Sequence, residues 1–224
     1  KGSILKGKSA YGCSEWRSGC NFRLNFDNAL RTQAKQSYEM PSQIIINPKN
    51  ELIMPANPNE IFPVVDTDGR VMGKASRREC HNGSKILHPV VHLQLFNSRG
   101  DLYLQKRALH KDNPGKWDTA VGGHIDYGES VENALRREAR EELGITDFQP
   151  VLICKYIFES DIEKELVNTF FTIYDGNIIP DNDEVECGRF WSIREIEASL
   201  NKDIFTPNFE NEYQSILHRL LVSR

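Results

Sequence analysis

No run of about 18 uncharged apolar residues occurs in the 224-residue chain, so the sequence predicts no membrane-spanning helix. The chain also has no basic start followed by a short apolar segment, and it therefore predicts no secretory signal. The five cysteines are scattered and none forms a C-x2-C pair, which argues against a disulfide framework and against a zinc site. Hydrophobic residues make up 39% and charged residues 27% of the chain, with a net charge of −4. These values are ordinary for a globular protein, and we expect a soluble, cytoplasmic one with no membrane partner.

Charge divides the chain into unequal parts. Residues 1–39 carry seven Lys and Arg against three Asp and Glu, whereas the remainder is acidic. Residues 40–60 contain four prolines and several asparagines, a composition typical of a linker or a loosely packed arm. The sequence therefore predicts a small basic element over 1–39, a linker or arm over 40–60, and a larger domain over 61–224.

Hydrophobic patterning over 61–224 predicts a mixture of strands and helices. A strand that enters a turn is expected at 64–69, and the segments 88–97 and 101–107 flank Ser98-Arg99-Gly100 in the pattern of a β-hairpin. Further strands are expected at 151–158, 165–174 and 185–191, and helices at 129–143, at 193–200 and after Thr206-Pro207. This mixture indicates an α/β fold in which helices cover both faces of a sheet.

The most informative segment runs from Gly122 to Ile145. Gly122, Gly123 and Gly128 allow a tight loop in which the backbone can approach a ligand closely. Ser130 is a suitable N-cap for the helix that follows. Apolar residues then recur at every fourth position and predict a buried stripe made of Val131, Leu135, Ala139 and Leu143.

The same helix carries three glutamates on one face. Glu138, Glu141 and Glu142 converge because their spacing is i, i+3 and i+4. Carboxylates so close together repel one another and would weaken an isolated helix. A divalent cation reverses this repulsion, since Mg²⁺ and Mn²⁺ prefer oxygen ligands and share them with substrate phosphates. A solvated acidic surface is the alternative explanation.

The full spacing of the segment resembles the signature of the Nudix family, G-x5-E-x7-R-E-U-x-E-E-x-G-U, in which U is apolar. The matching residues are Gly123, Glu129, Arg137, Glu138, Ala139, Glu141, Glu142, Gly144 and Ile145. The resemblance implies the family's alpha/beta/alpha sandwich with a mixed sheet over about residues 61–224. It also implies that water attacks phosphorus in a small-molecule substrate, a nucleoside diphosphate linked to another moiety. A homodimer is a frequent assembly in this family.

The resemblance also implies roles for individual residues. Glu138, Glu141 and Glu142 would hold Mg²⁺ or Mn²⁺, and the backbone carbonyl of Gly122 is a further candidate ligand. Glu138 is the leading candidate for the base that activates water, and Glu142 is also assigned to catalysis. Four other motif residues would support the site, namely Glu129 and Arg137 as an ion pair, Gly123 and Gly144.

The region from His81 to His124 also resembles the isopentenyl-diphosphate isomerase branch of the family. Those isomerases bind a metal through three histidines and two glutamates, and the candidates for such a second metal site are His81, His88, His124, Glu163 and Glu165. The resemblance fails where the isomerases need a catalytic cysteine, because Gly122 has no side chain to move a proton. The intact R-E-U-x-E-E helix also favours a hydrolase. The alternatives are an isopentenyl-diphosphate delta-isomerase-like protein and a non-catalytic module that binds a nucleotide or single-stranded nucleic acid.

Several polar residues outside the motif have more than one interpretation. His88 and His92 point to the same side of a predicted strand, and one of them is expected to be a packed or hydrogen-bonded core histidine. Asp183, Glu184 and Glu186 lie where many relatives supply a further metal ligand or base. An exposed acidic loop explains these three equally well.

The basic segment at residues 2–26 resembles the small C-terminal repeat of bacterial type IA topoisomerases. The resemblance rests on Lys6-Gly7-Lys8, Tyr11-Gly12-Cys13-Ser14 and Gly19-Cys20-Asn21-Phe22. Aromatic side chains that stack on bases and cations that follow phosphates suit weak binding of single-stranded nucleic acid. The candidate contacts are Lys6, Lys8, Tyr11, Trp16, Arg17, Phe22 and Arg23. The alternative is that these aromatics build the core of a very small domain.

Overall fold

The computed structural model describes residues 57–109, 111–181 and 185–218, together with five short strands before residue 57 that are described by their backbone. The chain divides into two compact units, residues 1–56 and 57–224. The strands of the first unit are β1 Ile4–Lys6, β2 Ala10–Cys13, β3 Arg23–Asn25, β4 Ile45–Ile46 and β5 Leu52–Ile53. β1, β2 and β3 form an antiparallel sheet in that order, and β4 pairs antiparallel with β5.

The nucleic-acid contacts expected in this first unit stay a prediction. Lys8, Trp16, Arg17 and Phe22 lie outside the described residues, and Lys6, Tyr11 and Arg23 are described by backbone alone. The range predicted as a linker contains β4 and β5, in which Ile45 lies opposite Ile53.

The second unit is built from strands with helices between and after them. Its strands are β6 Ile61–Val65, β7 Val71–Ser76, β8 Leu87–Phe96, β9 Leu102–Arg107, β10 Trp117–Asp118, β11 Val121–His124, β12 Val151–Glu159, β13 Lys164–Ile173 and β14 Val185–Trp191. Its helices are α1 Arg77–Cys80, α2 Val131–Leu143, α3 Ile193–Ser199 and α4 Pro207–Glu212, and a π-helical turn at Tyr213–Leu217 continues α4. Every helix among the described residues is too short or too polar to cross a membrane.

The ten-residue strand β8 is the centre of a seven-stranded mixed sheet. β13 lies parallel to β8 along its length, and β12 extends that side of the sheet antiparallel. On its other side β8 pairs with β11 at residues 90–93 and with β9 at residues 95–96, both antiparallel. β9 pairs in turn with β10 and β14. One long strand therefore fixes the register of the glycine-rich strand β11 relative to the rest of the core.

Different helices cover the two faces of this sheet. On one face, Leu135, Ala139 and Leu143 of α2 share a buried cluster with Val91 and Leu93 of β8. On the other face, a second buried cluster joins β9 and β14 to the C-terminal helices; its members are Leu102, Leu104, Trp191, Ile196, Phe205, Phe209, Tyr213 and Leu217. The predicted α/β/α sandwich with a mixed sheet is therefore confirmed.

The regular elements agree with the sequence patterns, and the short ones do not. The hairpin at residues 98–100 is present, and α2 begins at Val131, where the hydroxyl of Ser130 accepts a hydrogen bond from the N–H of Asn133 at 3.2 Å. Thr206 caps α4 as expected. The sequence patterns do not predict β7, α1, β10 or β11. α1, β10 and β11 have only two to four residues and therefore no measurable periodicity, and β7 and β11 contain glycine.

Gly144 ends α2 in the left-handed conformation, with φ +67°, and its N–H donates to the carbonyl of Arg140 at 3.1 Å. A Cβ at this position would lie 3.3 Å from the backbone oxygen of Ile179. We expect Gly144→Ala to lower the free energy of unfolding by about 1–2 kcal/mol, because a side chain is disfavoured at this φ and crowds Ile179. Urea unfolding measures this change.

Gly100→Ala is the matched control for this substitution. Gly100 also has a positive φ, +84°, but a Cβ there would meet no atom within 4 Å. We expect the smaller loss of stability at Gly100, because that variant carries the backbone cost alone. Equal losses in the two variants would contradict a contribution from the contact with Ile179.

Candidate active site

The glycine at position 123 lets α2 approach β11 closely. A Cβ built on Gly123 would overlap the carboxyl group of Glu138. Any side chain at this position would therefore displace that carboxylate from the strand. Because glycine has none, the helix brings the first glutamate of the motif directly onto the backbone of β11.

Arg137 connects the loop, the strand and the helix. Its Nε and Nη2 donate to the two carboxylate oxygens of Glu129 at 3.1 and 2.8 Å. Nη2 also donates to the backbone carbonyl of His124 at 2.9 Å, and Nη1 donates to Oε1 of Glu138 at 2.8 Å. Glu129 and Arg137, the residues expected to form an ion pair, are thus in bidentate contact, the strongest geometry for such a pair.

The charges of this pair are largely shielded from solvent. Only 24% of the Arg137 side chain and 17% of the Glu129 side chain are exposed. Burial alone would raise the pKa of Glu129, but hydrogen bonds from Arg137 and from the N–H of Asp126 hold it below its ordinary value. Hydrogen bonding to Glu129 raises the pKa of Arg137. Both groups are therefore charged at neutral pH and join the loop to the helix.

The other two glutamates of the motif have different surroundings. Glu142 is buried, and its Oε2 accepts a hydrogen bond from Nε2 of Gln105 on β9 at 2.7 Å. Glu141 has 48% of its side chain exposed, and its carboxylate lies 3.4 Å from Nη1 of Arg137. Glu138 and Glu142 thus face the sheet, while Glu141 lies at the solvent edge of the same helix.

A second group of candidate ligands surrounds the end of β11. His88 lies on β8, His124 ends β11, and His81 directly follows α1. Their ring nitrogens lie within 4.8 Å of one another, and Nε2 of His81 is 3.0 Å from Nε2 of His124. Ligand atoms of His88, Glu163 and Glu165 lie within the same distance of each other. The fold therefore makes neighbours of all five residues that the isomerase resemblance implies as metal ligands.

His88 is oriented towards a partner that the protein itself does not supply. Its Nδ1 lies 3.0 Å from the backbone carbonyl of Ile86, which assigns the ring proton to Nδ1 and leaves a lone pair on Nε2. That Nε2 is buried and has no hydrogen-bond partner in the structure. Such a nitrogen is costly to bury alone, and it is the donor atom that a divalent metal requires.

The three histidines have the charge state of metal ligands. Burial lowers the pKa of His81 to about 4, and it also lowers the pKa of His88 and of His124. The guanidinium of Arg77 adds to this effect, since its Nη2 lies 3.3 Å from Nδ1 of His124. All three imidazoles are therefore neutral at pH 7, the form in which histidine binds metals.

The pKa values of the two glutamates of this group shift in the opposite direction. Burial raises the pKa of Glu163, whose carboxylate lies 3.2 Å from Nδ1 of His81. Burial, together with the charge of Glu163, raises the pKa of Glu165 to about 8. A nearby cation would favour the ionised form of both groups. The buried carboxyl of Glu165 and the partly buried carboxyl of Glu163, beside three neutral imidazoles, thus make a donor set that fits a divalent ion.

Strand β11 separates the two groups of candidate ligands. Neighbouring residues of a strand point to opposite faces of the sheet, so Gly123 faces α2 while Gly122 and His124 face away from it. The α2 carboxylates and the histidine cluster therefore lie back to back across one strand. Arg137 joins them, because it contacts Glu138 on one side and the carbonyl of His124 on the other.

A buried ion pair lies beneath Gly122. His92 is opposite Gly122 in the register of β8 and β11, and its Nδ1 lies 2.6 Å from Oε2 of Glu212 on α4. The hydroxyl of Tyr156 donates to the same oxygen at 3.1 Å. Burial alone would lower the pKa of His92, but the carboxylates of Glu212 and Glu165 raise it to about 9. His92 is therefore a buried, hydrogen-bonded and charged histidine.

Three polar residues of the site have no motif that points to them. Gln105, Asn208 and Glu212 are distant in sequence from the groups they contact, and Asn208 lies 3.4 Å from Glu165. The only hint is that Glu212 interrupts the apolar stripe of the C-terminal helix. Among the acidic residues expected near the site, Glu186 forms an ion pair with Lys106 at 3.0 Å. Asp183 and Glu184 lie outside the described residues.

Comparison with known proteins identifies the family. The model of the NUDIX domain matches residues 86–209, more than half of the chain. The chain belongs to the Nudix family. An isopentenyl-diphosphate delta-isomerase of Mycolicibacterium vanbaalenii is 35% identical to this Nudix chain over 133 residues, covering 56% of the chain and 74% of the relative. An uncharacterized Nudix hydrolase of Listeria monocytogenes is 32% identical over 154 residues, covering 67% of the chain and 90% of the relative.

Solved structures of other proteins share the fold. DR0079 of Deinococcus radiodurans superimposes with a TM-score of 0.61 at 22% identity, covering 70% of this chain and 99% of that protein. A MutT protein of Methanosarcina mazei gives a TM-score of 0.52 at 23% identity, covering 60% and 95%. The prediction of a Nudix enzyme is therefore confirmed. Because the relatives have both isomerase and hydrolase names, the choice of reaction depends on the site.

Substitution of Arg137 tests its role as the link between loop and helix. We expect Arg137→Met to lower the free energy of unfolding by about 2–3 kcal/mol at about pH 7, because it leaves Glu129 and Glu138 partly buried without their partner. The folded pKa of Glu129 is below its unfolded value of 4.5, so its contribution is present above that pH and is lost as pH falls. The difference between wild type and variant should therefore narrow towards acidic pH in urea unfolding.

Arg140→Met is the control for the loss of a positive charge from the same helix. Arg140 and Glu141 are 3.8 Å apart, with 61% and 48% of their side chains exposed. Exposed pairs of this kind contribute little, and we expect a change of less than about 0.5 kcal/mol. If Arg140→Met lowered the free energy of unfolding as much as Arg137→Met, the cause would be the change in net charge and not the loss of buried contacts.

Proposed function

We propose that this Nudix protein is a divalent-metal-dependent pyrophosphohydrolase. It cleaves a diphosphate bond in a nucleoside diphosphate-linked or related small molecule by attack of water on phosphorus. The observation that carries the proposal is the intact carboxylate helix, together with the contacts that hold its glutamates in place. Glu138 lies on Gly123, Gln105 holds Glu142, and Arg137 fixes the loop against the helix.

The three motif carboxylates of α2 are oxygen donors of the kind that Mg²⁺ and Mn²⁺ prefer. The absence of a Cβ at Gly123 leaves room for the Glu138 carboxylate beside the backbone of β11. Glu138, Glu141 and Glu142 would hold the ion, with the backbone carbonyl of Gly122 as a further ligand. When bound, such an ion supplies positive charge to the diphosphate and makes a water more acidic.

The residues of the chain supply position and proton transfer. Glu138 is our candidate base, because the hydrogen bond from Arg137 fixes its carboxylate at the glycine-rich strand where a substrate can approach. The hydrogen bond from Gln105 keeps Glu142 in one orientation beside it on the helix. Hydrolysis of a diphosphate depends largely on positioning of the reacting groups and on charge stabilisation. The hydrogen bonds that fix Glu138 and Glu142 serve this positioning.

We assign a second metal site to His81, His88, His124, Glu163 and Glu165. The buried Nε2 of His88, which has no partner, supports this assignment, as do the three neutral imidazoles. An ion held there would join the segment after α1 to β8, β11 and β13. Its role in the hydrolase would be to fix the position of β11, which carries Gly122 and Gly123.

The same five side chains favour a second candidate function, isomerisation of isopentenyl diphosphate. The relative from Mycolicibacterium vanbaalenii is named for that reaction. Isomerisation adds a proton at one carbon and removes one from another, so it requires two proton-transfer groups on either side of the substrate. Gly122 stands where the isomerase resemblance requires a cysteine and supplies no such group. We therefore place hydrolysis first.

Glu138→Gln and Glu142→Gln test the hydrolytic assignment. Each substitution keeps the size of the side chain but removes the charge that would bind the metal or accept a proton. We expect each to lower kcat by about 10²-fold or more without unfolding the protein. Formation of nucleoside monophosphate from a panel of nucleoside diphosphate sugars, dinucleotides and damaged nucleotides measures the effect, and circular dichroism checks the fold.

Glu132→Gln is the matched control on the same helix. Glu132 has 65% of its side chain exposed and pairs with Arg136 at 2.9 Å. We expect its kcat to stay within about twofold of wild type, because the ion pair is exposed and Glu132 is not one of the motif glutamates. Full activity in Glu138→Gln and Glu142→Gln would refute the assignment.

Incubation with isopentenyl diphosphate and Mg²⁺ in deuterium oxide separates the two candidate functions. We expect no allylic diphosphate and no deuterium incorporation by NMR, because Gly122 has no side chain that could transfer a proton. Gly122→Cys supplies the cysteine that the isomerase resemblance requires. A Cβ at this position would lie 3.5 Å from Thr119 and 3.6 Å from His92, so there is room for it. An allylic product from the wild-type protein would establish isomerisation and overturn the hydrolase proposal.

A further inference from the structure

We propose that His92 is a further substrate-contacting residue, whose Nε2 hydrogen-bonds an oxygen atom of the diphosphate substrate bound over Gly122. The inference rests on the proposed function and deepens it. The contact lies on the face of β11 turned away from the α2 carboxylates, and Gly122, whose backbone carbonyl is a candidate metal ligand, connects it to the proposed site. The inference also names the chemistry of the group that enters there.

The absence of a side chain at Gly122 uncovers the ring of His92. Gly122 is partly exposed, and a Cβ built on it would lie 3.6 Å from Cδ2 and 3.7 Å from Nε2 of His92. The edge of the ring that carries Nε2 therefore points towards this residue. Any larger residue at 122 would lie between the ring and a molecule bound against β11.

The opposite edge of the ring is already engaged. Nδ1 of His92 lies 2.6 Å from Glu212, which is fully buried and also accepts a hydrogen bond from Tyr156. This contact fixes the plane of the ring and uses one of its two nitrogens. Nε2 is then the atom with which His92 can meet a molecule above Gly122, and Glu212 is a positioning residue.

Residues near His92 in the fold also carry unsatisfied polar atoms. Oε1 of Glu212, Oγ1 of Thr169 and Oε1 of Gln94 are buried without a hydrogen-bond partner in the structure. Thr169 lies beside His92 in the register of β13 and β8, and Gln94 is the next residue of β8 on the same face. Buried polar atoms are rarely left unpaired, so this cluster indicates a region built for polar contacts.

This chemistry selects an oxygen-bearing group over an apolar one. An imidazole nitrogen makes a hydrogen bond with a phosphate oxygen or a hydroxyl group, whereas a prenyl chain would leave His92 unpaired at that atom. The contacting oxygen belongs either to the diphosphate or to a hydroxyl of the moiety attached to it. Both sources share the hydrogen bond to Nε2, and the experiment below distinguishes them.

Two substitutions at His92 separate its two nitrogens. His92→Asn places an amide near the position of Nδ1 and keeps a hydrogen bond to Glu212, whereas His92→Gln extends an amide to the position of Nε2. For the best substrate of the panel, we expect His92→Asn to raise KM about tenfold with kcat within about threefold of wild type. His92→Gln should restore KM to within about threefold, which a purely structural role of His92 would not produce.

Gly122→Ala tests the same contact from the other side and does not disturb the pair with Glu212. The methyl group makes contacts of 3.5–3.7 Å, so the variant should fold, and the backbone carbonyl of residue 122 is retained. We expect the same tenfold rise in KM as in His92→Asn. Gly73→Ala is the control, because a Cβ at Gly73 meets no atom within 4 Å, and it should behave as wild type.

Calorimetry of methylenediphosphonate binding in the presence of Mg²⁺ distinguishes the two sources of the contacting oxygen. If binding weakens about tenfold in Gly122→Ala, the contact is to phosphate. If it is unchanged while KM for a nucleoside diphosphate sugar rises, the contact is to a hydroxyl. Unchanged KM and unchanged binding in both Gly122→Ala and His92→Asn would overturn the inference. If methylenediphosphonate binds more weakly to Gly122→Ala but the wild-type protein hydrolyses no diphosphate, the proposed function is overturned. The contact with His92 is then still supported.

Discussion

The contact between Arg137 and Glu129 is the interaction on which the candidate site depends. It joins the loop after β11 to α2, and the same guanidinium reaches Glu138 and the carbonyl of His124. Because the pair is mostly buried, its removal leaves charges without solvent or partner, which is far more costly than the loss of a surface pair. The position of the Glu138 carboxylate on Gly123 follows from this single arrangement.

Buried polar residues at the centre of the sheet lower the stability of the fold. A central strand covered on both faces is usually apolar, yet β8 places His88, His92 and Gln94 on one face. Each buried polar atom without a partner costs about 1–3 kcal/mol, and Nε2 of His88 and Oε1 of Gln94 have none in the structure. Such a cost is tolerated where a metal or a substrate supplies the missing partner. The polar face of β8 is therefore best explained by binding.

Local patterns explain which parts of this architecture are predictable. The α2 motif lies within 23 consecutive residues, so its cap, its buried stripe and its glutamates can be read from spacing alone. The pair of His92 and Glu212 joins residues 120 positions apart and depends on α4 packing over β8. Strand β11 has too few residues and too many glycines for a strand pattern. Long-range contacts and short elements therefore appear only in the fold.

Position 122 connects these constraints to the choice of reaction. It faces the same side of the sheet as His124 and His92, whereas Gly123 next to it faces the carboxylates of α2. A cysteine at 122 would bring a thiol to the substrate and cover His92, whereas glycine brings no group and leaves the imidazole within reach. The same scaffold would thus offer either proton transfer to carbon or a hydrogen bond to oxygen. With the hydrolytic helix intact on the other face, the second of these chemistries is the one consistent with this chain.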